Sequence, residues 1–221
     1  MGRHAAVLSR VVMSVVVLAA ACGDGDSTRS TSPSATAEGG VTGAIELCLG
    51  ESHPAPELLE VGVIRELPDN GNDHVFCPSY DQRPPASGDH FDVWQNCGFY
   101  TAPVQDQTAV HSLEHGAVWI AFSPDLRADE VAAIEARVAG EEHLLAAPYP
   151  GLANPIVLTA WTRQLALDRI ADPRFEEFID SHLARRSPTA PEPGARCAGA
   201  IGSAPGDPDA GFAEIAEDVL G

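Results

Sequence analysis

The sequence contains no lysine, and arginine supplies all 13 of its basic residues. Against 32 acidic residues the formal net charge is −19, and it becomes −21 once Arg3 and Arg10 leave with the leader described below. A surface of that sign is a poor partner for nucleic acid or bare anionic lipid, and it attracts cations. Methionine is nearly absent too. Met1 and Met13 both fall in the leader, so the mature chain has no thioether, which excludes methionine-rich copper(I) sites and blue-copper axial ligation. No C-x-x-C occurs among the cysteines, which argues against zinc-ribbon and thioredoxin chemistry. Long apolar runs are missing as well. The stretch Val11–Ala21 falls well short of the ~20 residues that span a bilayer.

That stretch, preceded by Arg3 and Arg10 and free of acids, reads as a signal peptide over residues 1–21. It closes "LAAAC", which resembles a bacterial lipoprotein box with Cys22 as the acylated new N-terminus; ordinary secretion after an A-x-A site is the runner-up. Apart from Pro33, residues 22–40 hold no aliphatic or aromatic side chain larger than alanine, so they cannot offset their ordering entropy and form a flexible tether. Its r.m.s. reach is roughly 20–25 Å, enough to hold a domain just off a membrane. The expected layout is a globular domain over 41–186 and a Pro/Gly-rich tail over 187–221 that carries a short amphipathic helix. The partner is then the membrane, through the lipid, on the extracytoplasmic side. An oxidising compartment and four further cysteines, Cys48, Cys77, Cys97 and Cys197, predict two disulfides. Three pairings are open, and Cys77–Cys97 with Cys48–Cys197 is favoured.

Periodicity predicts an α/β (α+β) domain, a small mixed sheet packed by two main helices. Gly62–Leu67 and His74–Cys77 read as short strands around a "PDNGND" turn, and Arg83–His90 as a proline-rich loop. "GAVWIAF" (Gly116–Phe122) is a buried strand, with further strands at "HLLAA" and Pro155–Trp161. Val131, Ile134 and Val138 mark one face of a helix over Asp125–Ala139, ended by Gly140. Asp172 followed by Pro173 caps a second helix whose spacing is Phe175, Phe178, Ile179 and Leu183.

"RPPASGDHFDVWQNCGFYTAPVQDQTAVHSLEHGAVWIAF" carries a longer pattern. Pro84, Pro85, Ser87, Gly88 and His90 are followed by Trp94, Gly98 and Tyr100, then by Val110 to Gly116. This resembles the actinobacterial family called domain of unknown function 3105 (DUF3105), over roughly residues 74–183. The resemblance implies a secreted or membrane-anchored protein and no defined activity.

Within the pattern, "VHSLEHG" carries the chemistry. His111 and His115 share a face and can grip one metal only on a helical turn; on a strand they would lie about 13 Å apart. Gly116 tolerates the positive φ that lets such a turn unwind into the strand. His90, at the end of the proline loop, is the third candidate ligand. Glu114 serves as a ligand or orients an imidazole from behind, and Asp89 and Tyr100 are candidates for that orienting role alone. Such a set suits zinc or copper(II). Two other readings stand beside it. The histidines can be architectural, in a non-catalytic envelope protein. Alternatively, H-x-x-E-H can be the zinc motif of an inverted metallopeptidase, although that motif needs a long helix and a strand follows here. His53, His74, His143 and His182 read as surface or rim residues. Ser87 lacks a nucleophile-elbow frame, so serine hydrolysis is not expected. The overall expectation is an anchored metal-binding protein rather than an enzyme.

Overall fold

A computed structural model describes residues 54–212. In chain order its elements are β1 (Ile64–Glu66), β2 (Gly98–Phe99), α1 (Asp106–Glu114), β3 (Val118–Phe122), α2 (Ala128–Val138), β4 (Leu144–Pro148), β5 (Ile156–Ala160), β6 (Arg163–Leu167) and α3 (Pro173–His182). The strands form one mixed sheet in the order β1-β6-β5-β3-β4-β2. β3 runs parallel to β4, through the α2 crossover, and antiparallel to β5. The expected α+β class therefore holds, with a third helix beyond the two anticipated. No helix among the described residues is long and apolar enough to cross a membrane.

All five residues of β3 are buried, and that explains the uninterrupted apolar run. Successive side chains on a strand point to opposite faces, so β3 feeds two cores. Val118, Ile120 and Phe122 pack with Ile134 of α2 and with Phe175, Phe178 and Ile179 of α3. Trp119 and Ala121 pack on the other face with Ala109, Val110 and Leu113 of α1, Tyr100 and Trp161. The sheet is thus the middle layer, and α1 with the surrounding loops covers the face that carries the candidate site. Asp172 caps α3 as expected, its carboxylate accepting the Arg174 backbone N–H at 3.0 Å.

Three expectations need correction. Residues 62–67 and 74–77 do not pair with each other. β1 joins β6, and His74 instead makes an isolated parallel bridge with His90. The strand β6, which was not anticipated, pairs along its whole length with β5. The disulfide at Cys97 goes to Cys197, not to Cys77. Cys77 is also disulfide-bonded, and its partner lies outside the described residues. The physical reason is that the segment after Ser187 folds back onto the domain: the Cys97 N–H donates to the Cys197 carbonyl at 2.7 Å, and Ile201 bridges Gln95. Cys197 and Ile201 are buried. The leader, Cys22, the tether, Cys48, His53 and residues 213–220 of the expected C-terminal helix lie outside the described residues.

Candidate metal centre

α1 supplies two imidazoles and a carboxylate because its spacing puts His111, Glu114 and His115 at its C-terminal end. Every residue from Asp106 to Glu114 is buried. The helix stops in a Schellman motif, in which the Ala117 N–H returns to the Ser112 carbonyl at 3.0 Å and the Gly116 N–H to Leu113 at 2.9 Å. Gly116 sits at φ +87°, the left-handed cap that releases the chain into β3. A helical turn and a strand thus coexist within six residues, from Glu114 to Trp119.

The proline loop delivers His90, and the parallel bridge brings His74 beside it. The His90 N–H donates to the Asp73 carbonyl at 3.0 Å and the Val75 N–H to the His90 carbonyl at 2.8 Å. His74, His90, His111 and Glu114 each offer a ligand atom, and these atoms all lie within 4.8 Å of one another. Around Glu114 Oε2, the Nε2 atoms of His90, His74 and His111 stand at 3.0, 3.8 and 3.9 Å. His115 Nε2 is 3.1 Å from His111 Nε2, one step away from this group.

The outward-facing nitrogens fix the tautomers. Nδ1 of His90, His111 and His115 each meets a backbone carbonyl, that of Gly88 at 2.9 Å, Phe91 at 2.8 Å and Arg196 at 2.7 Å. A carbonyl only accepts, so each Nδ1 carries a proton, and a ring that is neutral presents a lone pair at Nε2. His74 follows the same pattern with a carboxylate, Asp92 Oδ1 at 2.7 Å. Three imidazoles, those of His74, His90 and His111, therefore turn their Nε2 atoms toward the Glu114 carboxylate, and His115 turns its Nε2 toward His111. Burial pushes His111 down to about 4 and lowers His115 as well, so both stay neutral near neutral pH. Burial alone would raise the Glu114 carboxyl, but hydrogen bonds from His90 and Asn72 hold it at about 2. Its other oxygen accepts from Asn72 Nδ2 at 2.7 Å.

Neutral His111 and His115 then point lone pair at lone pair across 3.1 Å, while His90 Nε2 and Glu114 Oε2 are hydrogen-bonded across 3.0 Å. An acceptor-to-acceptor contact in a buried place requires positive charge between its two atoms, from a proton or from a cation. Neighbouring ligands of a tetrahedral ion at ~2.0–2.1 Å stand ~3.3 Å apart. The spacings here are of that order.

The sequence named His90, His111, Glu114 and His115, and the structure brings all four to one place. It adds His74, Asn72 and Asp92, which no spacing announced, since they arrive through a long-range bridge. Asp89 lies behind the loop, where Oδ1 accepts the Asp73 N–H at 3.1 Å and so helps dock the His74 segment. Tyr100 is in the core, donating to the Asn96 carbonyl at 2.7 Å, and does not touch the cluster. Ser87 donates to the Pro68 carbonyl and has a structural role.

The family model described as "Protein of unknown function (DUF3105)" matches residues 77–199, a segment that starts just after His74. No curated protein and no solved structure matches the chain.

Proposed function

Since the chain belongs to the DUF3105 family, whose description names no activity, we propose its function from the site itself: it binds one divalent transition-metal ion, zinc or copper(II), through His74, His90, His111 and Glu114. The observation that carries this reading is the convergence of ligand atoms from His74, His90, His111 and Glu114 to within 4.8 Å of one another, beside the opposed lone pairs of His111 and His115. A metal ion satisfies the inner lone pairs at once, while the carbonyls and Asp92 orient the rings from behind, an arrangement characteristic of ligating histidines. The donor set is imidazole and carboxylate. Among the described cysteines every sulfur is in a disulfide, so the site favours borderline ions over soft copper(I).

A purely architectural role would leave those lone pairs opposed. A hydrolase role asks Glu114 to act as general base, yet its two oxygens are engaged by Asn72 and by His90, and α1 ends at Glu114. The reading is completed outside the described residues. Acylation of Cys22 anchors the domain to the extracytoplasmic face of the membrane, and the acidic surface gathers cations there. A Cys22→Ala protein is expected in the soluble fraction; retention in the membrane would refute the anchor.

The metal-free mature domain should take up one zinc or copper(II) ion per chain, read by elemental analysis after dialysis and by calorimetry. His90→Ala should lower the affinity by more than the ~10–100-fold that loss of an orienting partner costs. Failure of the wild-type domain to bind either ion at micromolar exposure would overturn the reading.

A further inference from the structure

The four-residue centre leaves His115 and Glu192 unexplained. His115 Nε2 faces His111 Nε2 at 3.1 Å and Glu192 Oε2 at 3.7 Å, and the His115 side chain is buried while that of Glu192 is 61% exposed. The 192–197 segment is tied to the end of α1 at several points. The Glu192 N–H donates to the Glu114 carbonyl at 3.0 Å, and the Gly194 N–H to the His115 carbonyl at 2.9 Å. The Arg196 carbonyl holds His115 Nδ1 at 2.7 Å, and the next residue is locked by the Cys97–Cys197 disulfide. Trp94 closes one side, its ring 5.6 Å from His111 and 5.1 Å from His115. The segment therefore places a carboxylate and an oriented imidazole against the one inner ligand, His111, that reaches both ways.

We propose that His111, His115 and Glu192 form a second, outer metal position, through which the ion passes between solvent and the inner centre. This rests on the reading of the inner centre as a metal site. His111 Nε2 has a single lone pair, so it bonds to an ion at one position at a time. The two positions therefore share one ion, and His111 swings it between them. Movement exchanges only metal–ligand bonds: the ion leaves Glu192 and His115 as it gains Glu114, His90 and His74. The exposed Glu192 carboxylate is the first contact for a hydrated divalent cation drawn in by the negative surface.

The test separates rate from affinity in the full mature domain, with copper(II) or zinc(II) chloride as the probe. Uptake, and removal by a chelator such as EDTA, are followed by stopped flow. The equilibrium constant is measured separately, and the copper(II) paramagnetic spectrum reports the resting ligand set. Expected for both His115→Ala and Glu192→Gln is loading and removal slowed about tenfold, with the affinity changed less than about threefold and the spectrum preserved. Glu192 is at the surface, so its variant folds even if the buried His115 variant does not. Unchanged rates in Glu192→Gln would overturn the outer position. So would a His115→Ala affinity loss equal to that of His90→Ala, which would make His115 an ordinary ligand of a single centre. No uptake by the wild-type domain would instead sink the inner centre.

Discussion

At the residue scale the site depends on groups that never touch the ion. Asn72 is exposed, yet its amide donates to Glu114 Oε1 at 2.7 Å, and exposed Asp92 holds His74 Nδ1 at 2.7 Å. Removing either should reorient a ligand without opening the core. Asn72→Ala and Asp92→Ala are each expected to weaken metal affinity about 10–100-fold, while changing stability by no more than about 0.5 kcal/mol. Calorimetric titration beside urea unfolding checks both halves, and an unchanged affinity in both variants would remove these residues from the site. The same residues show where sequence reading stops. His111, Glu114 and His115 were legible because i, i+3 and i+4 on a helix share a face. His74 was not, because its neighbour His90 comes through a parallel bridge that no local period reports.

At the scale of elements, the junction between α1 and β3 decides whether the ligands converge. Gly116 is required there twice. It adopts φ +87°, and a Cβ on it would stand 2.8 Å from the Ala184 carbonyl oxygen. A left-handed alanine costs about 1–2 kcal/mol before that contact is relieved. Gly116→Ala should therefore destabilise the domain by about 2 kcal/mol or more, seen as a lower denaturant midpoint; a loss below about 0.5 kcal/mol would mean the cap is not needed. This junction was half legible. Gly116 and the apolar run announced the strand, but α1 itself did not stand out, since a helix buried on every side has no polar stripe to create a period. α2 and α3 keep such a stripe and were found close to their true ends. β6 was hidden for another reason. Its hairpin with β5 turns at Thr162, φ +59°, where turn chemistry expects Gly or Asn, and the turn is held by long-range bonds to Ala86 and Leu67.

At the scale of the whole molecule, the fold-back of the C-terminal segment and the burial of the imidazoles tie metal binding to folding. The Cys97–Cys197 bridge closes a separation of 100 residues and fixes the segment that orients His115. Reduction, or Cys97→Ser with Cys197→Ser, should cost about 2–4 kcal/mol, and equal unfolding midpoints with and without reductant would contradict that role. Acid should act on the metal-free domain through the histidines. Burial lowers His111 to about 4 and also lowers His115 and His182, so the fold favours their neutral forms. A group whose pKa is lower in the folded state than in the unfolded chain binds more protons when unfolded. Stability is then complete above the unfolded histidine value of ~6.5 and falls as the pH drops toward about 4. Glu114, held at about 2, has the same sign but acts lower, its contribution being lost only below the ordinary carboxylate value of ~4.5. Relief of the surface's negative repulsion also begins there, so the window from about pH 6.5 to 4.5 isolates the imidazoles. Thermal unfolding of the metal-free domain should show a steadily lower Tm across that window. With zinc present the fall should be steeper, because the ion binds only the deprotonated rings and its stabilisation disappears with them. A Tm that stays constant from pH 7 to 4.5 without metal would show that the buried histidines take up protons as readily in the native state as in the unfolded chain, and would remove the argument from the opposed lone pairs of His111 and His115.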